Sequence, residues 1–282
     1  MRLVKSRTRI VVTAGSLGVV CLTGSLLATS MASSAGTITP TPDRSKIANR
    51  AAVTFARAIA DDPKWVRRAS FSALPPFSNP AAVSTKRMKG FPLRGKSYAL
   101  LSTGNATKID NPNNSGSSST ETGGPSIRGA RDVIIHRTVL RVPKGANCLS
   151  IRFRFLSEEF PEFVNDDFND AFIAELDDTT WTAATKQDPT IKAPLNFAFD
   201  KAGNPVRVNT VGEDAVTGGE GNGTTYDGGT VNLRASKRIT PGRHVLYLSI
   251  FDQGDRQYDS TVMLDHLSLR KRKNCKSGVV PD

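Results

Sequence analysis

Histidine and cysteine are scarce in this chain, three of each in 282 residues. His136, His244 and His266 stand apart from one another, each inside a strand-like run. None has a cysteine or second histidine at a ligand spacing, which argues against a zinc-type centre. A Gly-x-Ser-x-Gly elbow is missing beyond the first thirty-odd residues, and the Gly-rich stretch 212–229 lacks the Lys-Ser/Thr ending of a phosphate loop. Aromatic residues make up 7% of the chain. The apolar share of 38% lies below the ~45–50% usual for globular chains when glycine is counted, so part of the chain is loop. There is no internal repeat to suggest a solenoid or propeller.

What is present begins with a targeting segment. Arg2, Lys5, Arg7 and Arg9 precede an uncharged apolar run from Ile10 to about Ala28, and Ala32 or Ala35 offers a small-residue cleavage site. This reads as a secretory signal peptide over 1–35 and leaves no membrane span after cleavage. Its removal takes away four basic residues and no acidic ones, lowering the formal charge from +12 to +8. The remaining positive residues are scattered along the sequence except for Arg270-Lys271-Arg272-Lys273, which reads as a solvated tail, and no nucleic-acid partner is expected. Cys148 and Cys275 are the two cysteines of the mature chain, and an even count in an exported protein implies a disulfide between them.

A Thr/Pro-rich linker over 36–45 leads into a helical pattern, with apolar residues at Ile47, Ala51, Phe55 and Ala58/Ile59, capped by Asp43 or Ser45 and stopped at Pro63. Beyond it the texture is of short strands. Ser70–Leu74, Tyr98–Ser102 and Val133–Val142 are followed by Leu149–Phe155, where Leu149, Ile151, Phe153 and Phe155 alternate with Ser150, Arg152 and Arg154. Phe172–Leu176, Leu195–Phe199, Val206–Val208, Val231–Leu233, Val245–Phe251 and Thr261–Leu269 complete the set. Residues 103–129 are Ser/Asn/Gly/Thr-rich and read as a long surface loop. Eight to ten strands with one helix predict a mostly β chain, an antiparallel sandwich of jelly-roll type with the helix packed against it, over 46–275, and a short tail over 276–282.

Two acid-rich passages stand out. The first runs from Glu158 to Asp170, and the second holds Asp252, Asp255, Asp259 and Asp265. Each follows a strand, so adjacent strands can bring the two together. Calcium takes six to eight oxygens from carboxylates, amides, carbonyls and water. Glu158, Glu159, Asn169, Asp170, Asp252, Asp255 and Asp259 are therefore candidate Ca²⁺ ligands, with Gly254 permitting a tight turn. Solvated loop acids are the plainer alternative, and a glycosidase-like carboxylate pair is the catalytic one. An EF-hand is not supported, because the loop after Asp167-x-Asn169 lacks the glycine and terminal glutamate of that motif. Phe160, Phe163 and Phe168 read as pins holding the first loop to the core. Trp65, Trp181 and the Tyr226-Asp227 turn are the candidates for contact with a ligand.

The long motifs Ser157-Glu158-Glu159-Phe160-Pro161-Glu162-Phe163-Val164 and Asp252-x-Gly254-Asp255-x-x-Tyr258-Asp259-Ser260 are unusual. Together with AVTFARAIADDPKWV, GFPLRGKSYALLSTGNA and YDGGTVNL, in that order, they resemble the choice-of-anchor L family of bacterial surface and secreted domains. The resemblance covers most of residues 48–269. It implies a β-rich extracellular module with no settled catalytic activity. Unlike anchored members, this sequence has no apolar tail or sorting motif after Cys275, so free secretion is the expectation. The function that follows is a non-catalytic module, calcium-stabilised, that adheres to or binds a glycan or surface protein. A secreted polysaccharide hydrolase and a structural matrix component are the alternatives.

Overall fold

The computed structural model describes residues 36–40, 46–114, 119–183, 190–210 and 214–282. The expected signal peptide and cleavage site, residues 41–45 of the linker and the helix caps Asp43 and Ser45 lie outside the described residues. Two antiparallel sheets form the body. One has the order β1 (Ile38–Pro40), β3 (Ala81–Ser84), β4 (Tyr98–Ser102), β12 (Ser260–Arg270), β6 (Cys148–Ser157), β10 (Leu233–Arg238), β13 (Gly278–Pro281), with the short β9 (Gly228–Gly229) also on β6. The other has the order β2 (Val66–Ala73), β5 (Arg131–Val142), β11 (Gly242–Asp252), β7 (Ala171–Leu176), β8 (Val206–Arg207).

Period-2 alternation decides which side chains meet between the sheets. From the first sheet come Ile151, Phe153, Phe155, Val262 and Leu264, and from the second Ile134, Leu140, Leu246, Leu248 and Ile250. Phe153 and Phe172 meet across the gap with ring centroids 4.8 Å apart. The expected helix forms as α1 (Lys46–Ile59) and buries Ala52, Phe55, Ala56 and Ile59 in this same core. Cys148, at the start of β6, is bonded to Cys275 across 127 residues, with a Cα–Cα distance of 5.7 Å.

Three readings of the sequence need correction. Leu195–Phe199 is not a strand: Phe197 and Ala198 are both buried, and the segment makes only isolated bridges through Asn196 and Phe199. The tail carries an edge strand, since Gly278–Pro281 pairs with β10. Trp181 is fully buried, stacked on Phe251 at 4.3 Å and donating through Nε1 to Ser249 Oγ at 3.1 Å. It belongs to a smaller apolar cluster with Ile173 and Ile191 on the outer face of the second sheet and is not available to stack on a ligand.

His136 is a packing residue with a thermodynamic consequence. Its ring lies 4.4 Å from that of Phe55, and Nε2 meets the Ala52 carbonyl at 3.1 Å. Complete burial pushes its pKa down from 6.5 to about 4, partly opposed by the Ala52 carbonyl. The native state therefore favours the neutral ring, while the unfolded chain takes up a proton below pH 6.5. The associated stability is whole above pH 6.5, is lost as pH falls towards 4, and amounts to about 3 kcal/mol. Denaturant titrations between pH 7 and 4 are expected to record that slope, and His136→Gln is expected to flatten it.

Candidate metal centre

Topology gathers the acidic residues. Three connections cross from one sheet to the other at the same end: β4 to β5, β6 to β7, and β11 to β12. Because β4, β12 and β6 are neighbours in one sheet, and β5, β11 and β7 in the other, the crossings lie side by side. Backbone bonds tie them together. Glu158 N donates to the Asp259 carbonyl at 3.1 Å, and Thr103 N to the Ser260 carbonyl at 3.0 Å. Ser260 N donates to Thr103 Oγ1 at 2.9 Å.

Six of the seven candidate ligands are buried here: Glu158, Glu159, Asn169, Asp170, Asp252 and Asp259, none more than 3% exposed. Asp255 is the exception. It is half-buried, and its Oδ1 accepts from Gln257 N at 2.9 Å, an ordinary local turn. Asp265 is remote from the group, accepting from Leu93 N at 2.6 Å and Arg94 N at 2.9 Å. Glu158 and Glu159 lie just past the end of β6, so strand alternation does not part them and both turn inward.

One member was overlooked. Asp132, inside the apolar β5, is fully buried, bonds Thr122 and takes Arg256 Nη1 at 2.7 Å. The available signal was an acid followed directly by Val-Ile-Ile. The loop 103–129, read as plain surface, contributes too: Thr120 N donates to Asp259 Oδ1 at 3.2 Å. Gly104 is fixed by closeness, because a Cβ there would sit 1.8 Å from Asp259 Oδ2. Gly254, with φ of +100°, makes the tight turn and runs against the Phe168 ring. That ring packs on Phe163, which packs on Tyr258, so aromatics lid the two loops, while Phe160 alone of the three reaches the main core.

Inside, the carboxylates form a chain. Glu159 Oε2 accepts from Asp170 N at 2.9 Å, and Asp170 Oδ1 from Gln253 N at 3.2 Å. Side chains of Glu159 and Asp170, of Asp170 and Asp252, and of Asp252 and Asp132 lie within hydrogen-bonding reach of one another. Both Asp252 oxygens, Asp170 Oδ2 and Asn169 Oδ1 are buried without a well-formed hydrogen bond. Burial first, and then the neighbouring acids, raise the group's pKa values: Asp170 to about 8, Asp259 to about 7, and Glu159 and Asp252 well above the usual range. Two carboxyl groups in contact need a positive charge between them, either a shared proton or a cation. Among the described residues, no three His, Cys, Asp or Glu side chains close a coordination shell by themselves. Calcium does not require three, since amides, carbonyls and water supply much of its shell.

Of the remaining candidates, Tyr226 borders the site: it is buried with its hydroxyl against Thr261 and Ser102 and lies close enough to Asp259 and Glu158 to feel their charge. Asp227 lines a polar cavity of 630 Å³ with Asn113, whose amide donates to it at 2.6 Å. Trp65 is half-buried against the main core.

The pattern that defines the choice-of-anchor L domain matches residues 78–270. No curated protein matches. A solved structure, the enzymatically active domain of bacteriophage CBA120 tailspike protein 4, shares 8% identity at a TM-score of 0.21, over 82% of this chain and 19% of that one. The chain thus spans about a fifth of that protein's length, and a likeness this weak carries no argument about fold or activity. No helix among the described residues is long and apolar enough to cross a membrane.

Proposed function

This chain belongs to the choice-of-anchor L family, a surface or secreted β-rich module, and from that premise we propose that it is a calcium-latched, non-catalytic binding module. The observation that carries the calcium reading is Asp252, 1% exposed, its oxygens without a well-formed hydrogen bond and its carboxyl group against those of Asp170 and Asp132. A carboxylate buried in that way is costly unless something positive meets it. Calcium would join Asp170, Asp252 and the Asn169 amide oxygen, with Glu158, Glu159 and Asp259 near by, and so tie the crossings between the sheets. Burial also speaks against catalysis by these acids, because a glycosidase pair must flank a bond in an open cleft. The latch holds the loops at one end of the sandwich, and adhesion to a glycan or surface protein is the task left to the exposed faces.

Melting the full chain at pH 7 in millimolar calcium and in EDTA tests the latch. Calcium at about a hundred times its Kd would contribute about 2.7 kcal/mol, or roughly 5–10 °C for a domain of this size. Superimposed curves would remove the calcium reading.

A further inference from the structure

Basic residues that lie far apart in the sequence collect at the end of the second sheet opposite the acidic loops. Arg141 on β5 and Arg243 on β11 are directly opposed partners in the ladder, both exposed. Like charges placed so are unfavourable by themselves. On the other side of β5, a bulge between Val66 and Arg68 lets the consecutive Arg67 and Arg68 both face solvent. Lys144 follows in the turn after β5. These five cations line a groove of 690 Å³ that also includes Val139 and Pro241 and holds no acidic residue. Among the described residues none of the five has a carboxylate partner. Two positions along the same outer face, Val139 stands opposite Val245, and beyond them Arg137 lies over the Tyr247 ring at 6.0 Å.

We propose that this groove binds a linear acidic polysaccharide, with sulfate or carboxylate groups on the exposed Arg68, Arg141 and Arg243 and a sugar face against the half-buried Tyr247. The cations span three adjacent strands, roughly 10 Å. That is wider than one small anion can bridge, so the ligand is a polymer. Single-stranded nucleic acid is the less suitable polyanion because it needs successive aromatic platforms, and this face offers Tyr247 alone beside the cations. The disulfide and the family's surface placement also put the groove where acidic glycans are met. The assignment rests on the binding-module part of the proposed function and is independent of the calcium latch.

The test uses the full secreted chain, wild type and Arg141→Ser/Arg243→Ser, titrated against heparin, uncharged dextran and single-stranded DNA at matched charge. The expected result is salt-sensitive binding of heparin, none of dextran, and weaker binding of DNA. The double variant is expected to bind heparin at least tenfold more weakly while melting at or above the wild-type temperature, since a repulsive pair is gone. Arg272→Ser/Lys273→Ser, which alters the basic run after β12, is expected to change affinity less than threefold. Unaltered heparin binding by the groove variant, an equal loss in the second variant, or a preference for DNA would each overturn the assignment. Wild type that binds none of the three polymers would overturn it and count against the binding-module reading as well.

Discussion

Asp252→Asn is expected to stabilise the ion-free protein and at the same time abolish its response to calcium. The aspartate is fully buried between Asp170 and Asp132, and neither of its oxygens has a well-formed hydrogen bond. Its pKa is raised, first by burial and then by Asp170. A carboxyl group so shifted favours its protonated form in the native state, so without a cation the fold loses stability as pH rises above the ordinary carboxylate range. The amide keeps the shape, carries no charge and can donate to Asp170. At pH 7 in EDTA the gain is expected to be about 1–3 kcal/mol, which is several degrees for a domain of this size. In calcium the order reverses, because wild type gains the ion and the variant does not. Asp255→Asn is the control. Its carboxylate is half-exposed and bonded to Gln257 N, so both conditions should leave it close to wild type. Melting curves of the three proteins in EDTA and in calcium check the pattern. An Asp252→Asn protein that is less stable in EDTA and still responds to calcium would contradict it.

Loss of the Cys148–Cys275 bond is the second large effect expected. The bond closes 127 residues and ties the first residue of β6, the strand between β12 and β10, to the segment that leads into β13. Loop entropy for that length comes to about 5 kcal/mol, and native bonds measured in exported domains contribute about 2–5 kcal/mol. Replacing both cysteines by serine is expected to lower the unfolding free energy by that amount and to fray β13 first. The edge strand is held by four register pairs to β10 and by Asp282, whose carboxylate meets Arg152 at 2.7 Å. Denaturant titration gives the total. Hydrogen exchange should find the loss of protection greatest at Gly278–Pro281. Equal stability of the serine variant would mean that the sheet edges are fixed without the bond.

The contrast between legible and hidden features has a physical basis. Leu149 to Phe155 reads correctly because one face of β6 is core and the other carries arginine, so its alternation is clean. The helix is legible for the same reason at a period of 3.6. Leu195–Phe199 imitates a strand because a covering segment also buries apolar side chains, without a ladder. Short edge strands such as Ala81–Ser84 and Gly278–Pro281 offer too few residues for a pattern.

At the site, acid density marks the two loops, but density cannot tell which acids turn inward. Asp255 and Asp265 belong to the same passage as Asp252 and Asp259, yet local turns and neighbouring N–H groups occupy them. Asp132 and the threonines of 103–129 were hidden because their role depends on three crossings meeting, which is a property of strand order. The basic end is hidden in the same way. Arg67, Arg68, Arg141 and Arg243 gather only because the start of β2, the end of β5 and the start of β11 share one end of a sheet. The tryptophan reading failed for a simpler reason: Trp181 packs with Ala183, Ile191, Ile173 and Phe251 against the outer face of the second sheet, which buries it.

The most direct test of the calcium latch is equilibrium binding of calcium to the full chain at pH 7, followed by isothermal titration calorimetry. A saturable site that takes up one ion per chain and disappears in Asp252→Asn is the predicted result. No uptake by wild type, with protons alone accounting for the neutrality of the buried acids, is the result that would contradict it.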